Sequence, residues 1–159
     1  MRKLLGTVVL VGLLVVPGTT QAQMTIGPVA AFHDDADFGI GGYLGIPVPA
    51  LDPNLSINPS FVFFFPDGPF DYWEINGDVV YSFEVSPDTP VLPFAMAGLR
   101  IGHVSADAGG SDSRLGLNLG GGIGFRAASL EPFVGGKFDI GDGPDGLVVF
   151  GGIGFAVGG

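Results

Sequence analysis

From Trp73 to Val85 the chain changes character at almost every residue, and a period of two admits little besides a β-strand with two unlike faces. Trp73, Ile75, Gly77, Val79, Tyr81, Phe83 and Val85 share one face; Glu74, Asn76, Asp78, Ser82 and Glu84 share the other, with Val80 the exception. Residues 113–126 repeat the pattern. There Leu115, Leu117, Leu119, Ile123 and Phe125 oppose Arg114, Asn118, Arg126 and several glycines. In 54–65, Leu55, Ile57, Phe61, Phe63 and Phe65 oppose Ser56, Asn58 and Ser60. No segment keeps the 3.6-residue period of a helix.

Clusters of Asp, Gly, Pro and Ser cut the chain at 33–37, 49–53, 66–69, 86–90, 107–112 and 141–146. These residues set turns. They delimit strands at 24–32, 38–48, 54–65, 70–85, 91–104, 113–126, 130–140 and 146–157. Regular strands separated by turns predict a sandwich or a barrel. The fifth and seventh strands both open on Pro-Phe (93–94, 132–133) and run to Ile-Gly (101–102, 140–141). The sixth and eighth share Gly-Gly-Ile-Gly-Phe (121–125, 151–155), so two successive hairpins follow one template.

The first 22 residues differ from the rest. Arg2 and Lys3 precede an apolar run from Leu4 to Val16, and small residues lead to Ala22. That is the pattern of a secretory signal peptide, too short for a spanning helix of about 20 residues. The expected organisation is a signal peptide at 1–22 and one barrel domain at 23–159. Beyond residue 22, four basic residues face 16 acidic ones, a net charge of about −12. Nucleic-acid binding needs a basic footprint and is excluded. There is no cysteine, hence neither a disulfide framework nor a thiolate metal site.

Which face turns inward decides between two architectures. A soluble, lipocalin-like barrel would point its apolar face in and hold an apolar ligand. A membrane barrel would point it out to lipid. The polar faces here are poor in Lys and rich in Gly, which suits a narrow lumen better than a solvated surface. All four remaining basic residues, Arg100, Arg114, Arg126 and Lys137, fall on the polar phase. Charges in a narrow lumen need partners. The expected ion-pair set is Glu74, Asp78, Arg100, Arg114, Arg126, Glu131 and Lys137. Registers drawn from the turns set Arg126 opposite Glu131, and Arg100 opposite Asn76 and diagonal to Glu74 and Asp78. The reading is therefore an all-β, closed, antiparallel up-and-down barrel of about eight strands in a bacterial outer membrane. Its lumen would be filled by Gly and ion pairs rather than left as a wide pore. With both termini periplasmic, the loops near 33–37, 66–69, 105–112 and 141–145 would face outward. Phe63, Phe65, Tyr72 and Trp73 would form an outer aromatic girdle, and Tyr81 and Phe83 an inner one.

With the signal peptide, the strand count, Leu92-Pro-Phe-Ala-Met-Ala-Gly-Leu-Arg-Ile-Gly102 and the Gly-Phe strand ends in view, residues 24–157 resemble the small outer-membrane barrels of the OmpA-like and OmpX-like, porin-family type. The resemblance implies a Gram-negative envelope protein with a structural or surface-interaction role, no cofactor, and outer-membrane lipid and lipopolysaccharide as surroundings. Two features depart from it. The sequence ends Phe155-Ala-Val-Gly-Gly159 rather than on an aromatic residue, and Pro59 removes a ladder donor in mid-strand, which suits a bulge or an edge.

His103-Val-Ser105 is similar to the His-x-Ser of outer-membrane lipid A deacylases, but no acid occupies a matching outward position on the next strand, where Leu115, Leu117 and Leu119 stand. No catalytic residue and no metal ligand set is assigned. Asp34-Asp35 and Asp142-Gly-Pro-Asp-Gly146 offer carboxylates to divalent cations, yet Asp and Gly are also ordinary turn formers.

Overall fold

A computed structural model describes residues 23–127, 129–141 and 145–158. The expected signal peptide, 1–22, lies outside them, as do Asp142 to Pro144 of the last acidic loop. The strands are β1 (Met24–His33), β2 (Asp37–Pro47), β3 (Leu55–Phe64), β4 (Phe70–Ser82), β5 (Val91–Ala106), β6 (Ser111–Phe125), β7 (Leu130–Gly141) and β8 (Gly146–Val157). Each pairs antiparallel with its chain neighbour, and β8 returns to β1, so the sheet closes on itself. Closure removes every sheet edge, the feature that would otherwise expose unpaired backbone. The expected architecture is the observed one, and each predicted strand end lies within three residues of the observed one.

The alternation resolves as apolar-out. Ile40, Ile75, Leu99, Leu117, Val134 and Val149 all point outward and are exposed. Leu117 is 55 % and Phe125 40 % exposed, whereas Glu74, Asn76, Asp78, Arg100, Asn118, Lys137 and Asp139 are buried. This is the inverse of a water-soluble barrel. Among the described outward strand positions Asp71 is the one carboxylate, and it sits beside the loop-side end of β4.

Pro59 causes neither a bulge nor an edge. The β2–β3 ladder stops at Tyr43↔Ser60 and resumes at Ile46↔Ile57 in unchanged register, while Pro59 stays paired with Gly77 on its other side. Pro28 repeats the device. It interrupts β1–β8 between Ile26↔Phe155 and Val29↔Gly152 but keeps its partner Gly42 on β2. Each proline withholds one N–H and opens a short gap in one ladder, and the barrel closes around both gaps.

Many of the lumenal glycines make room for larger neighbours. A Cβ on Gly122 would meet the Phe94 ring at 2.7 Å, one on Gly135 the Phe150 ring at 2.7 Å, and one on Gly152 the Phe133 ring at 2.6 Å. A Cβ on Gly116 would lie 2.8 Å from the Arg100 guanidinium, and one on Gly102 2.9 Å from the Tyr72 hydroxyl. Eight strands enclose a lumen only wide enough for side chains, so a large one from one strand needs a bare backbone near it.

Candidate functional site

The lumen falls into three layers between the loop side and the side that carries the termini. At the loop side an apolar cap forms where β1, β3, β4 and β8 bring His33, Phe64, Tyr72 and Val148 together, all nearly inaccessible. The His33 ring meets Phe64 and Tyr72 edge-on at 6.0 and 6.3 Å. Its Nδ1 accepts the Asp35 backbone N–H at 3.0 Å.

Below the cap lies a belt of charge. The Tyr72 hydroxyl donates to Glu74 Oε1 at 2.5 Å, and Arg100 donates to the Tyr72 oxygen at 3.0 Å and to Glu74 Oε1 at 3.4 Å. Arg100 also faces Asp139 Oδ2 at 3.6 Å. Lys137 Nζ bridges Asp139 Oδ1 at 3.1 Å, Asn76 Oδ1 at 3.1 Å and Glu74 Oε2 at 3.4 Å. Asn118 Nδ2 donates to Asn76 and to Asp78 Oδ1, each at 2.9 Å. Two cations therefore serve Glu74 and Asp139, and carboxamides carry the network on to Asp78. Unpaired buried charge is costly, and here the partners come from β4, β5, β6 and β7 at one height.

His33, Glu74 and Asp139 lie close enough to hold a metal ion, with one ligand atom from each within 4.8 Å of the others. The same carboxylates are already engaged by Arg100 and Lys137, whose charges repel a divalent cation. The group works as part of the ion-pair network.

A cavity of about 370 Å³ runs from the terminus-side mouth, where exposed Gln23, Arg126 and Glu131 line it, past Glu74, Asn76 and Lys137 of the belt to Phe64 and Val148 of the cap.

The expected ion-pair set divides. Glu74, Asp78, Arg100 and Lys137 meet in the belt, with Asn76 opposite Arg100 in the β4–β5 register. Arg114 does not. The β6–β7 ladder begins only at Gly116↔Gly141, so Ser111 to Leu115 lie past the paired part of β7. Arg114 is half exposed there and pairs with Asp112 at 2.8 Å. Arg126 and Glu131 reach the mouth but bond elsewhere. Arg126, just past the end of β6, turns to Glu84 at 3.3 Å, and Glu131 accepts from the Thr25 hydroxyl at 3.3 Å.

The girdle assignment needs one correction. Tyr72 and Trp73 are neighbours on one strand and face opposite sides, so Tyr72 is in the lumen and Trp73 outside. Outside, Phe65 stacks near Phe38 at 6.5 Å and meets Phe63 edge-on at 5.2 Å, while Trp73 lies 6.0 Å from Phe61. Toward the other end, Tyr81 and Phe83 meet at 5.1 Å.

His103 and Ser105 do not form a pair. His103 Nδ1 contacts the Ser113 hydroxyl at 2.7 Å across the β5–β6 ladder, and its ring stacks on Trp73 at 4.8 Å. Among the loop carboxylates, Asp34 accepts the Leu147 N–H at 3.2 Å, Asp37 the Asp67 N–H at 3.1 Å and Asp145 the Gly141 N–H at 2.8 Å. They act as turn acceptors.

Sequence reasoning missed His33 and Asp139. Asp139 shares the phase of Lys137 two residues away, which was a usable signal. His33 resembled the first residue of an acidic turn, and only the observed length of β1 places it in the lumen.

No protein-family model matches the sequence, and no curated protein matches it. Solved structures do resemble the fold. The N-terminal β-barrel domain of Pseudomonas aeruginosa OprF aligns at 17 % identity over 87 % of this chain and 100 % of that domain, with a TM-score of 0.72. Neisserial surface protein A aligns at 15 % identity over 84 % of this chain and 96 % of its own length, with a TM-score of 0.66. Ail, the attachment invasion locus protein of Yersinia pestis, aligns at 16 % identity over 84 % and 95 %, with a TM-score of 0.56. At these identities the likeness is one of fold, and the fold is the small eight-stranded barrel that these three proteins share.

Proposed function

We propose that this chain is an outer-membrane barrel with a structural or surface-interaction role, in contact with membrane lipid and lipopolysaccharide, and without enzymatic activity. The observation that carries the reading is its inverted polarity. A continuous apolar exterior surrounds a lumen of buried ionic groups, and such an exterior is stable only against hydrocarbon. A soluble, ligand-binding barrel would have to leave Ile75, Leu99, Leu117 and Phe138 in water. The fold of OprF, Neisserial surface protein A and Ail supports the same placement.

The cap, with the ion pairs beside it, obstructs the loop-side end of the lumen. The protein is then not a wide pore, and any surface role belongs to the loops and the projecting β5–β6 hairpin. The test is fractionation of the expressing cell together with a gel of unheated and boiled protein in detergent. Recovery with the outer membrane and a faster-migrating unheated band are expected. Recovery in the soluble periplasmic fraction would refute the proposal.

A further inference from the structure

The lumenal cavity is not explained by a barrel that merely closes. It has two unlike walls. β3 and β4 contribute Asn58, Ser60 and Asp78, whereas β5, β7 and β8 contribute Phe94, Met96, Phe133 and Phe150. The aromatic wall is built in, because Phe94, Phe133 and Phe150 rest where Gly122, Gly152 and Gly135 have no side chain.

The polar wall is short of donors. Asp78 is only 5 % exposed and accepts one hydrogen bond, from Asn118. Lys137 and Arg100 spend their ion pairs on Glu74 and Asp139, and among the described residues no cation comes within 4.0 Å of the Asp78 carboxylate. The Asp78 carboxylate thus stands at the cavity wall with one hydrogen bond and no cation in contact. Buried acceptors of this kind are costly unless a donor reaches them.

We infer that the cavity is a binding site for a small amphipathic primary amine, which enters at the terminus side. Its ammonium donates to Asp78, and its apolar body lies against Phe94, Met96 and the two rings beyond. About 370 Å³ is near the lower end of ligand pockets, which start at about 300 Å³, so the ligand is small. The buried cap residues Phe64 and Val148 close the far side, which makes the cavity a blind cup rather than a passage.

The test uses the barrel in lipid nanodiscs with ¹³C-methyl methionine, and it reads binding irrespective of where the protein resides in a cell. Met96 lines the cavity, while Met24 at the rim of β1 reports on the bilayer side. Hexylammonium is expected to shift the Met96 methyl saturably without a matching shift at Met24, and hexanoate of equal length should bind at least about tenfold more weakly, a difference of about 1.4 kcal/mol. Asp78→Asn, checked for its heat-dependent gel shift, should weaken hexylammonium by about tenfold or more, as loss of a charged hydrogen bond does. An unmoved Met96, a shift that never saturates, or equal binding of hexanoate would each overturn the assignment on the unmodified protein. Unchanged affinity in a folded Asp78→Asn variant would overturn the role of Asp78.

Discussion

Replacing Arg100 by Met isolates the contribution of the charge belt. The guanidinium contacts Glu74 at 3.4 Å and Asp139 at 3.6 Å and supports the Tyr72 hydroxyl at 3.0 Å, all in a site closed to water. At an effective dielectric constant of about 20, a pair of unit charges 3.4 Å apart interacts by about 5 kcal/mol. Methionine keeps much of the packing volume but leaves two carboxylates to Lys137 alone. Breaking a buried pair from one side costs about 3–5 kcal/mol, because the abandoned charge stays in the interior. Arg100→Met should therefore lower stability by about 3–5 kcal/mol, measured as urea-induced unfolding from lipid vesicles followed by Trp73 fluorescence and by the gel shift. Adding Glu74→Gln removes one stranded carboxylate, and the double variant should recover about half of that loss. A single-variant loss below about 1 kcal/mol, or strictly additive losses in the double variant, would show that the belt is not a coupled network and would refute the reasoning.

Other perturbations address the lumenal glycines, the outer face and the mouth. A Cβ on Gly122 would run into the Val134 carbonyl oxygen and lie 2.6 Å from Gly135 Cα, so Gly122→Ala should cost about 1–3 kcal/mol in the same unfolding assay. Gly77 faces outward with nothing within 4 Å of its missing Cβ, and Gly77→Ala should change stability by less than about 0.5 kcal/mol. Leu117→Arg places a charge on the outer face and should cost about 2–4 kcal/mol in bilayers if that residue lies near the midplane. Leu51→Arg, in the exposed turn between β2 and β3, should be neutral within about 0.5 kcal/mol. At the mouth, Arg126→Ala removes a half-exposed pair with Glu84 and should cost less than about 1 kcal/mol, well below the Arg100 variant.

The strands, their order and the direction of their two faces were legible in the sequence because each is a local property. Trp73 to Val85 alternates by itself, turn residues mark where each strand stops, and Gly with Arg and Glu on one phase identifies a narrow inside. Lys137 and Asp78 could be placed on that inside for the same reason. Phase is not height, however, and height decides which lumenal residues meet. Arg114 and Lys137 share the inward phase, yet Arg114 stands where β6 has run past its ladder with β7, and it pairs with Asp112 rather than with the belt. Arg126 lies past the end of its strand and turns to Glu84 rather than Glu131. Asp139, His33 and Tyr72 enter the network because closure of β8 on β1 and the stagger of eight strands bring them level with Glu74. The two-walled cavity is equally a product of closure. Phe94, Phe133 and Phe150 come from three strands, and each rests over a glycine of another strand. A barrel with a polar, glycine-rich inside follows from the chain alone, because side-chain alternation is built into every strand. Which charges neutralise one another, and where a space is left, depends on register accumulated around the whole barrel.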